Sequence, residues 1–310
     1  MLLQRRAGFE RGVNMPNYGE LAIIMTPRGK RRLMRLEEGR DLHTGEGVLR
    51  MADVARADFG TEAATSLGVP CRIQRPTIYD LIRGVKRQTQ IMYPKDICYI
   101  CMRLGVGPGR TVIEAGSGSG GLTVGLSWFS GPTGHVHSFE AREEFHKLAR
   151  RNLEWAGLGQ NVTLRHHDIA EGFSGVTGAD ALFLDVRTPW DYLCHIPAAV
   201  KPGASLAFFL PTMDQVGALL LGLEQGPFDD TDVCELLLRR WKPTPDRLRP
   251  EDRMIAHTGF LIFARHQERS EAWEALRPLG TRERKQEAAR RLRLGLDGAA
   301  ADADSGSNAL

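Results

Sequence analysis

The residues of this chain best suited to chemistry are four acids, Glu114, Glu140, Asp168 and Asp185, and a glycine-rich turn that follows the first of them. The turn lies within Thr111-Val-Ile-Glu-Ala-Gly-Ser-Gly-Ser-Gly-Gly-Leu122. A short β-branched run ends in Glu114, the glycines follow, and an apolar segment with helical pattern comes next. This is the strand–turn–helix of a nucleotide-cofactor site. Gly116, Gly118 and Gly120 let the backbone turn sharply and approach a ligand where a Cβ would clash. Ser119, Gly121 and Leu122 complete the turn and open the helix. Taken alone the loop is weakly specific. It fits G-x-G-x-G, and through Gly116, Gly118 and Gly121 it also fits the dinucleotide fingerprint. It is also compatible with glycines that serve only a tight turn.

The acids narrow the choice. An acidic residue roughly 20 positions beyond the loop is expected to bind a ribose in either class. Glu140, at the end of the strand-like His135-Val-His-Ser-Phe139, fills that role. Glu114 stands at the tip of the first strand. A carboxylate there would repel a dinucleotide pyrophosphate but suits a ligand with an amino group and a sulfonium. Asp168 closes a third strand-like run, Asn161-Val-Thr-Leu-Arg165, where an adenine amino group could be held beside His167. These residues favour S-adenosylmethionine-dependent methyl transfer over nicotinamide oxidoreduction. His166-His167-Asp168 is read as a strand end feeding a cofactor loop, with no metal required.

The elements that must position these groups follow from periodicity. From about residue 93 apolar helical stretches alternate with short strands at Val112-Ile113, Val136–Phe139, Val162–Leu164, Ala181–Leu184 and Ser205–Leu210. That alternation predicts a Rossmann-like, doubly wound α/β domain with a mostly parallel sheet, whose ligands bind outside the carboxyl ends of the strands. Val233–Leu238 and Gly259–Ala264 are expected to close the sheet as an antiparallel pair. Before it, residues 17–82 carry short strands and regular turn signals, which predict a small β-barrel or sandwich. The expected organisation is a basic extension over 1–16, with Met15 a plausible start of translation, a small β domain over 17–85, and a methyltransferase domain over 86–266. A charged tail follows over 267–310, helical around Arg282–Leu294 and disordered from Asp297.

The chain has 310 residues, 42% hydrophobic and 25% charged, with a net charge of +3 and a pI near 8.6. No apolar run approaches the roughly 18 residues that span a bilayer, and no signal-peptide core is present. A cytoplasmic protein is expected. Five cysteines and no secretory signal argue for reduced thiols. Cys98-Tyr-Ile-Cys101 sits in an amphipathic helical pattern and is read as packing rather than as a zinc or redox pair. The positive charge is clustered at Arg28–Arg32, at Arg83, Lys86 and Arg87, and between Arg239 and Arg253. Each cluster could be a solvated face. Three of them flanking one candidate site point to a phosphate-bearing partner.

Several segments in fixed order also resemble a known family, the bacterial and archaeal tRNA (adenine-58-N1)-methyltransferases, related to the catalytic subunit of the eukaryotic enzyme. They are Thr89-Gln-Ile-Met-Tyr-Pro-Lys-Asp96, Glu114–Gly121, Leu184-Asp-Val-Arg-Thr-Pro-Trp190, Leu210-Pro-Thr-Met-Asp-Gln-Val216, Arg249-Pro-Glu-Asp-Arg-Met254 and His257-Thr-Gly-Phe-Leu261. His43-Thr-Gly-Glu-Gly47 resembles a turn of the family's N-terminal barrel. The resemblance covers residues 18 to 265. It implies S-adenosylmethionine held by the 116–122 loop, Glu140, Asp168 and Asp185, and methylation of N1 of adenosine 58 in the tRNA T-loop by a homotetramer. It also implies substrate contacts at Tyr93, Lys95, Trp190, Phe209, Arg249 and His257. The chain departs from the family at Phe208-Phe209, where a tyrosine is common, at Arg187, and in its long tail.

Adenine N1 has an in-plane lone pair and needs no deprotonation before it attacks a sulfonium methyl. Asp185 is the candidate to stabilise the positive charge that develops on the ring. Trp190 or Phe209 would stack on an extruded base. Two alternatives remain at this stage. One is a methyltransferase for another RNA, a protein or a small molecule. The other is a non-catalytic RNA-binding module with a vestigial cofactor site.

Overall fold

The computed structural model describes residues 14–88 and 92–276. The first thirteen residues of the basic extension, Thr89–Ile91 of the resemblance segment, and the expected helix and tail beyond 276 lie outside the described residues. The described residues up to Gln267 form one compact unit, and beyond it a short helix, Glu271–Leu276, is described.

The first strands are β1 (Leu21–Met25), β2 (Arg31–Arg35), β3 (Leu42–Thr44), β4 (Gly47–Leu49), β5 (Glu62–Ala64) and β6 (Pro70–Gln74), with helix α1 (Met51–Arg56) between β4 and β5. They make an antiparallel four-stranded sheet of order β2-β1-β6-β5 and a separate β3-β4 hairpin. Period-2 alternation puts Ala22 and Ile24 of β1 on one face, with Cys71 and Ile73 of β6. Leu42 and Leu49 of the hairpin and Met51 and Val54 of α1 cover that face. The arrangement is a sheet capped by a hairpin, nearer to the expected sandwich than to a closed barrel. The opposite face, through Leu21 and Leu33, packs against the second, larger core. Close approach there requires Gly84, where a Cβ would overlap the Trp155 ring.

The larger body contains α2 (Ile78–Gly84), α3 (Pro94–Leu104), β7 (Thr111–Ala115), α4 (Gly121–Ser130), β8 (His135–Glu140), α5 (Glu143–Ala156), β9 (Val162–His166), β10 (Ala179–Leu184), α6 (Ile196–Ala199), β11 (Val200–Leu210), α7 (Met213–Gln225), β12 (Phe228–Cys234) and β15 (Phe260–His266). Between the last two a two-stranded ribbon, β13 (Trp241–Lys242) and β14 (Arg249–Pro250), projects as part of an arm over residues 235–259. The main sheet has order β12-β15-β11-β10-β7-β8-β9, parallel from β11 to β9 and antiparallel at β12 and β15. The mostly parallel sheet with antiparallel late strands agrees with the sequence reading. The first closing strand lies at 228–234 rather than 233–238. Asp230, in a left-handed conformation (φ 53°), sits in the irregularity between Asp229 and Asp232 that shifts the pairing register.

The chain leaves β7 for β8 on one side and returns to β10 on the other. The β7–β10 junction is therefore the topological switch point, where such sheets bind ligands. Alternation along the strands separates two cores. Ile113, Leu182, Leu184, Leu206 and Phe208 face one set of helices. Val112, Ala181, Phe183, Ala207 and Phe263 face α3 and α4.

Helix α3 starts with Pro94 at its first turn and ends at Gly105 in the left-handed region (φ 65°), both favoured terminators. Its N-terminus is tied to the arm. The Lys95 ammonium donates to Asp96 at 2.7 Å and to Thr258 at 2.6 Å, and Thr258 donates to Asp96 at 3.0 Å. Asp96 is fully buried and the Lys95 side chain is only 12% exposed. Removing one member of such a pair leaves the other charge buried without a partner, at a cost of about 3 kcal/mol or more. Asp96→Ala should therefore lower stability by that order in chemical denaturation, and a loss below about 1 kcal/mol would show that the lock is not held by this carboxylate.

Candidate functional site

Glu114 is placed by register. It pairs across the sheet with Ser138 of β8, whose hydroxyl donates to the Glu114 carboxylate at 2.6 Å. Ser117 lies 2.6 Å from the Ser138 oxygen and extends the chain of hydrogen bonds into the glycine turn. Glu114 is buried. Burial, reinforced by the charges of Asp185 and Glu140 and opposed by the Ser138 hydrogen bond, pushes its pKa up to about 7.

The turn then folds over the sheet end. Gly116 has φ 89°, and a Cβ there would overlap the backbone carbonyl oxygen of Asp185. The Asp185 amide in turn donates to the Ala115 carbonyl at 2.9 Å. Gly120, at φ 80°, faces the backbone of Ala149 on α5. Gly118 donates its amide to Glu140 at 2.8 Å, and the other oxygen of Glu140 accepts from the Arg142 amide and guanidinium at 3.1 and 3.0 Å. Glu140 thus shapes the loop from beneath while keeping lone pairs for further donors.

These elements enclose a cavity of about 200 Å³ lined by Glu114, Gly116–Ser119, Gly121, Leu122, Met92, Arg142, Phe183 and Asp185. The Asp185 carboxylate is open to the water of the cleft, although protein crowds it on its other sides. Crowding, then the Glu140 charge, pushes its pKa above the ordinary carboxylate value.

Asp168 and His167 follow β9, one strand further out. Asp168 is exposed and caps a short 3-10 turn by accepting from Ala170 at 2.9 Å. His167 is anchored by the Gly172 carbonyl at 2.9 Å and lies edge-on to Phe139. Neither lines the cavity.

A second, larger cavity of about 890 Å³ adjoins the first, and Met92 lines both. Tyr93 and Lys95 line it, with Tyr79, Arg83, Arg87, Arg240 and Arg253. Two basic clusters that are distant in sequence thus meet on one cavity. The Lys95 ammonium is engaged by Asp96 and Thr258, so its contribution there is structural. Phe209 lies over Gly259, where a Cβ would overlap its ring. Trp190 packs on the core at the opposite face of the sheet, near Gly222 of α7. His257 bonds Glu235 at 2.8 Å and the Pro211 carbonyl at 3.2 Å. The Glu235 partner, then Pro211, raises its pKa above the ordinary imidazole value. Arg249 is exposed on the ribbon. None of these last four lines either cavity.

Ser138, Arg142, Met92 and Phe183 escaped the sequence reading. Ser138 and Arg142 carried a usable signal, since they stand two residues either side of Glu140. Cys101 is buried and its thiol is pushed up by burial, which makes it inert, whereas Cys98 is exposed. Among the described residues no group of three or more His, Cys, Asp or Glu is placed to hold a metal ion.

A family model described as tRNA methyltransferase complex GCD14 subunit matches residues 76–252. The chain belongs to this family. The matched residues run from α2 through both cavities to the arm. Among members of known name, the tRNA (adenine(57)-N(1)/adenine(58)-N(1))-methyltransferase TrmI of Methanocaldococcus jannaschii is 30% identical over 269 residues, covering 78% of this chain and 94% of its own. The tRNA (adenine(58)-N(1))-methyltransferase TrmI of Thermus thermophilus is 31% identical over 243 residues, covering 78% and 95%. The fold of this family member superposes on a SAM-dependent O-methyltransferase from Thermotoga maritima with a TM-score of 0.79 at 39% identity, covering 84% of this chain and 98% of that one. The tRNA (m1A58) methyltransferase TrmI of Aquifex aeolicus gives 0.71 at 37% identity, covering 81% and 98%.

Two predictions follow from the geometry. Gly116→Ala should abolish cofactor binding in calorimetry, because its Cβ and its positive φ both oppose the Asp185 backbone contact. Unaltered affinity would mean that the contact is dispensable. The second concerns pH. Glu114 keeps its proton in the folded protein where the unfolded chain, with its carboxyl near 4.5, has released it. Stability is thus fullest below about pH 4.5 and falls as pH rises toward 7, by an order of 3 kcal/mol. The melting temperature of the cofactor-free protein should fall across that window, and Glu114→Gln should flatten the fall. Equal slopes in both proteins would assign the effect elsewhere.

Proposed function

We propose that this protein transfers the methyl group of S-adenosylmethionine to N1 of adenosine 58 in the T-loop of tRNA. The observation that carries the reading is the pairing of an acid-lined pocket at the switch point with an arginine-lined cavity that opens from it. The residues fit the cofactor's chemistry. Glu114 and Asp185 sit where a carboxylate is costly to ionise alone, and a ligand carrying an ammonium and a sulfonium would remove that cost. Glycine-loop amides and the Glu140 carboxylate supply donors and acceptors for the ribose and the amino-acid end.

The bound cofactor supplies the electrophilic methyl group. Asp185 faces the cleft next to Met92, where it can accept a hydrogen bond from the N6 amino group and stabilise the charge that grows on the adenine. Tyr93, on the wall of the larger cavity, is placed to stack on the extruded base. Orientation carries much of the rate, because N1 needs no general base. An O-methyltransferase, as the Thermotoga relative is named, must also remove a hydroxyl proton, a step that N1 of adenine does not require. Asp168 and His167 remain candidates for the adenine end of the cofactor. Phe209, Arg249 and His257 are read as supporting the substrate site from β11 and the arm without lining it, and Trp190 as support from the opposite face of the sheet.

We assign residues 17–77 to a small β domain that helps hold tRNA and 78–266 to the methyltransferase domain, because α2 packs in the core of the larger body and moves the expected boundary back from 85. We also read the protein as a cytoplasmic homotetramer. Leu237, Trp241 and Leu248 are exposed on the arm, do not line the larger cavity, and would suit a subunit contact. Among the described residues no helix is long and apolar enough to cross a membrane.

The deciding assay uses methyl-labelled S-adenosylmethionine and an unmodified tRNA transcript, beside one with uridine at position 58. Label as 1-methyladenosine in the first alone is the expected result, and label in neither would remove tRNA as the substrate. Asp185→Ala should lower turnover about 100-fold or more while leaving a thermal shift with the cofactor. Near-normal turnover would take Asp185 out of the reaction.

A further inference from the structure

The larger cavity carries more charge than a site for a neutral base needs. Arg83 and Arg87 reach it from α2 and the segment just after it, and Arg240 and Arg253 reach it from the arm. Among the described residues, none of these four guanidinium groups lies within 4.0 Å of a carboxylate oxygen. Of the two acids on the same lining, Asp252 is taken by Lys242 at 2.5 Å, and Glu251 acts on Arg240 only as a nearby charge without an ion-pair contact. Like charges gathered around one opening repel one another, and an anion entering it relieves that repulsion.

Two of the arginines are already organised around one phenol. The Tyr79 hydroxyl accepts a hydrogen bond from Arg240. The Arg83 guanidinium lies 5.6 Å and that of Arg240 6.0 Å from the centre of the Tyr79 ring. Burial raises the phenol's pKa, but the two guanidinium groups outweigh it and leave the value below the ordinary one. The grouping joins α2 to the arm across the cavity. It presents planar forks that match a phosphate oxygen pair, with a hydroxyl beside them that can turn to donate. Met92 stands between this grouping and the Glu114–Asp185 pocket.

We propose that Tyr79, Arg83 and Arg240 form a phosphodiester subsite that grips the RNA backbone next to the reacting base, with Met92 screening it from the methyl-donor pocket. The proposal rests on the tRNA reading above and adds to it the residues that hold the strand. An RNA strand fits better than a free nucleotide, because the arginines come from two separate elements, α2 and the arm, rather than from one phosphate-cradling loop.

The test is filter binding of an unmodified tRNA transcript to the full-length protein at salt concentrations from about 50 to 200 mM. Arg240→Ala should weaken binding roughly tenfold and make the slope of log affinity against log salt shallower by about one. Arg240→Lys should restore most of the slope, and Tyr79→Phe should weaken binding less than Arg240→Ala. Cofactor affinity, measured by calorimetry, should stay at the wild-type value in all three. In a second arm, transcripts carry a single uncharged methylphosphonate beside adenosine 58. That change should weaken wild-type binding and add nothing in Arg240→Ala. An unchanged salt slope in Arg240→Ala would overturn the subsite. So would additive losses in the second arm, or an unchanged slope with loss of the oligomer, which would place the arginines in a subunit contact. Wild-type protein that binds tRNA but does not methylate it would sink the proposed reaction and leave the binding result to decide the subsite.

Discussion

The backbone contact between Gly116 and Asp185 is the constraint on which the rest of the site depends. Two strands that part company in topology, β7 and β10, are neighbours in the sheet, and their following loops must separate for a ligand to enter between them. The loops cross at one point, where only a residue without a Cβ can pass the Asp185 carbonyl. That crossing fixes the direction of the glycine turn above it and the position of the Asp185 side chain beside it. Glu140 then holds the turn from below through Gly118, and Ala149 of α5 limits it from behind.

The electrostatics divide the cleft into two compartments with opposite preferences. Around the glycine turn, the charges of Asp185 and Glu140 add to the cost of ionising Glu114, and that of Glu140 to the cost of ionising Asp185, so a cationic ligand is the natural occupant. Around the larger cavity, arginines without carboxylate partners make an anion the natural occupant. Methyl transfer from a sulfonium to a nucleobase in RNA needs both preferences side by side, with reacting atoms meeting at the boundary. Met92 marks that boundary. The buried Lys95–Asp96–Thr258 lock keeps it in register, because it ties the start of α3, just after Met92, to the arm that supplies Arg240 and Arg253.

Much of this was legible in the sequence because the signals are local. Glycines at 116, 118 and 120 are visible wherever a strand pattern runs into a helix pattern, and acids at strand ends follow from period-2 alternation. The doubly wound, mostly parallel sheet needed only the alternation of helical and strand patterns. Where reading fell short, the signal was not local. The family resemblance of its segment made Lys95 an expected substrate contact. The structure places its ammonium against Asp96 and against Thr258, which is far away in sequence. Trp190 looked like a base-stacking ring. The direction in which its 3-10 turn leaves the sheet places it on the far face.

What the sequence determined by itself was the class of chemistry. A residue type at a strand end and a glycine in a turn carry their meaning with them, since their conformational and electrostatic consequences act over a few bonds. What only the tertiary structure decided was which charges remain available. Arg83 and Arg240 are 157 positions apart by number (240 − 83), and nothing local marks them as partners or as lacking acids. Lys95, Arg31 and Arg142 are equally basic in the sequence, yet each is paired with a carboxylate in the folded chain. Pairing depends on distances of a few ångströms between elements that meet only on folding, and it is pairing that separates a structural cation from one free to meet a substrate.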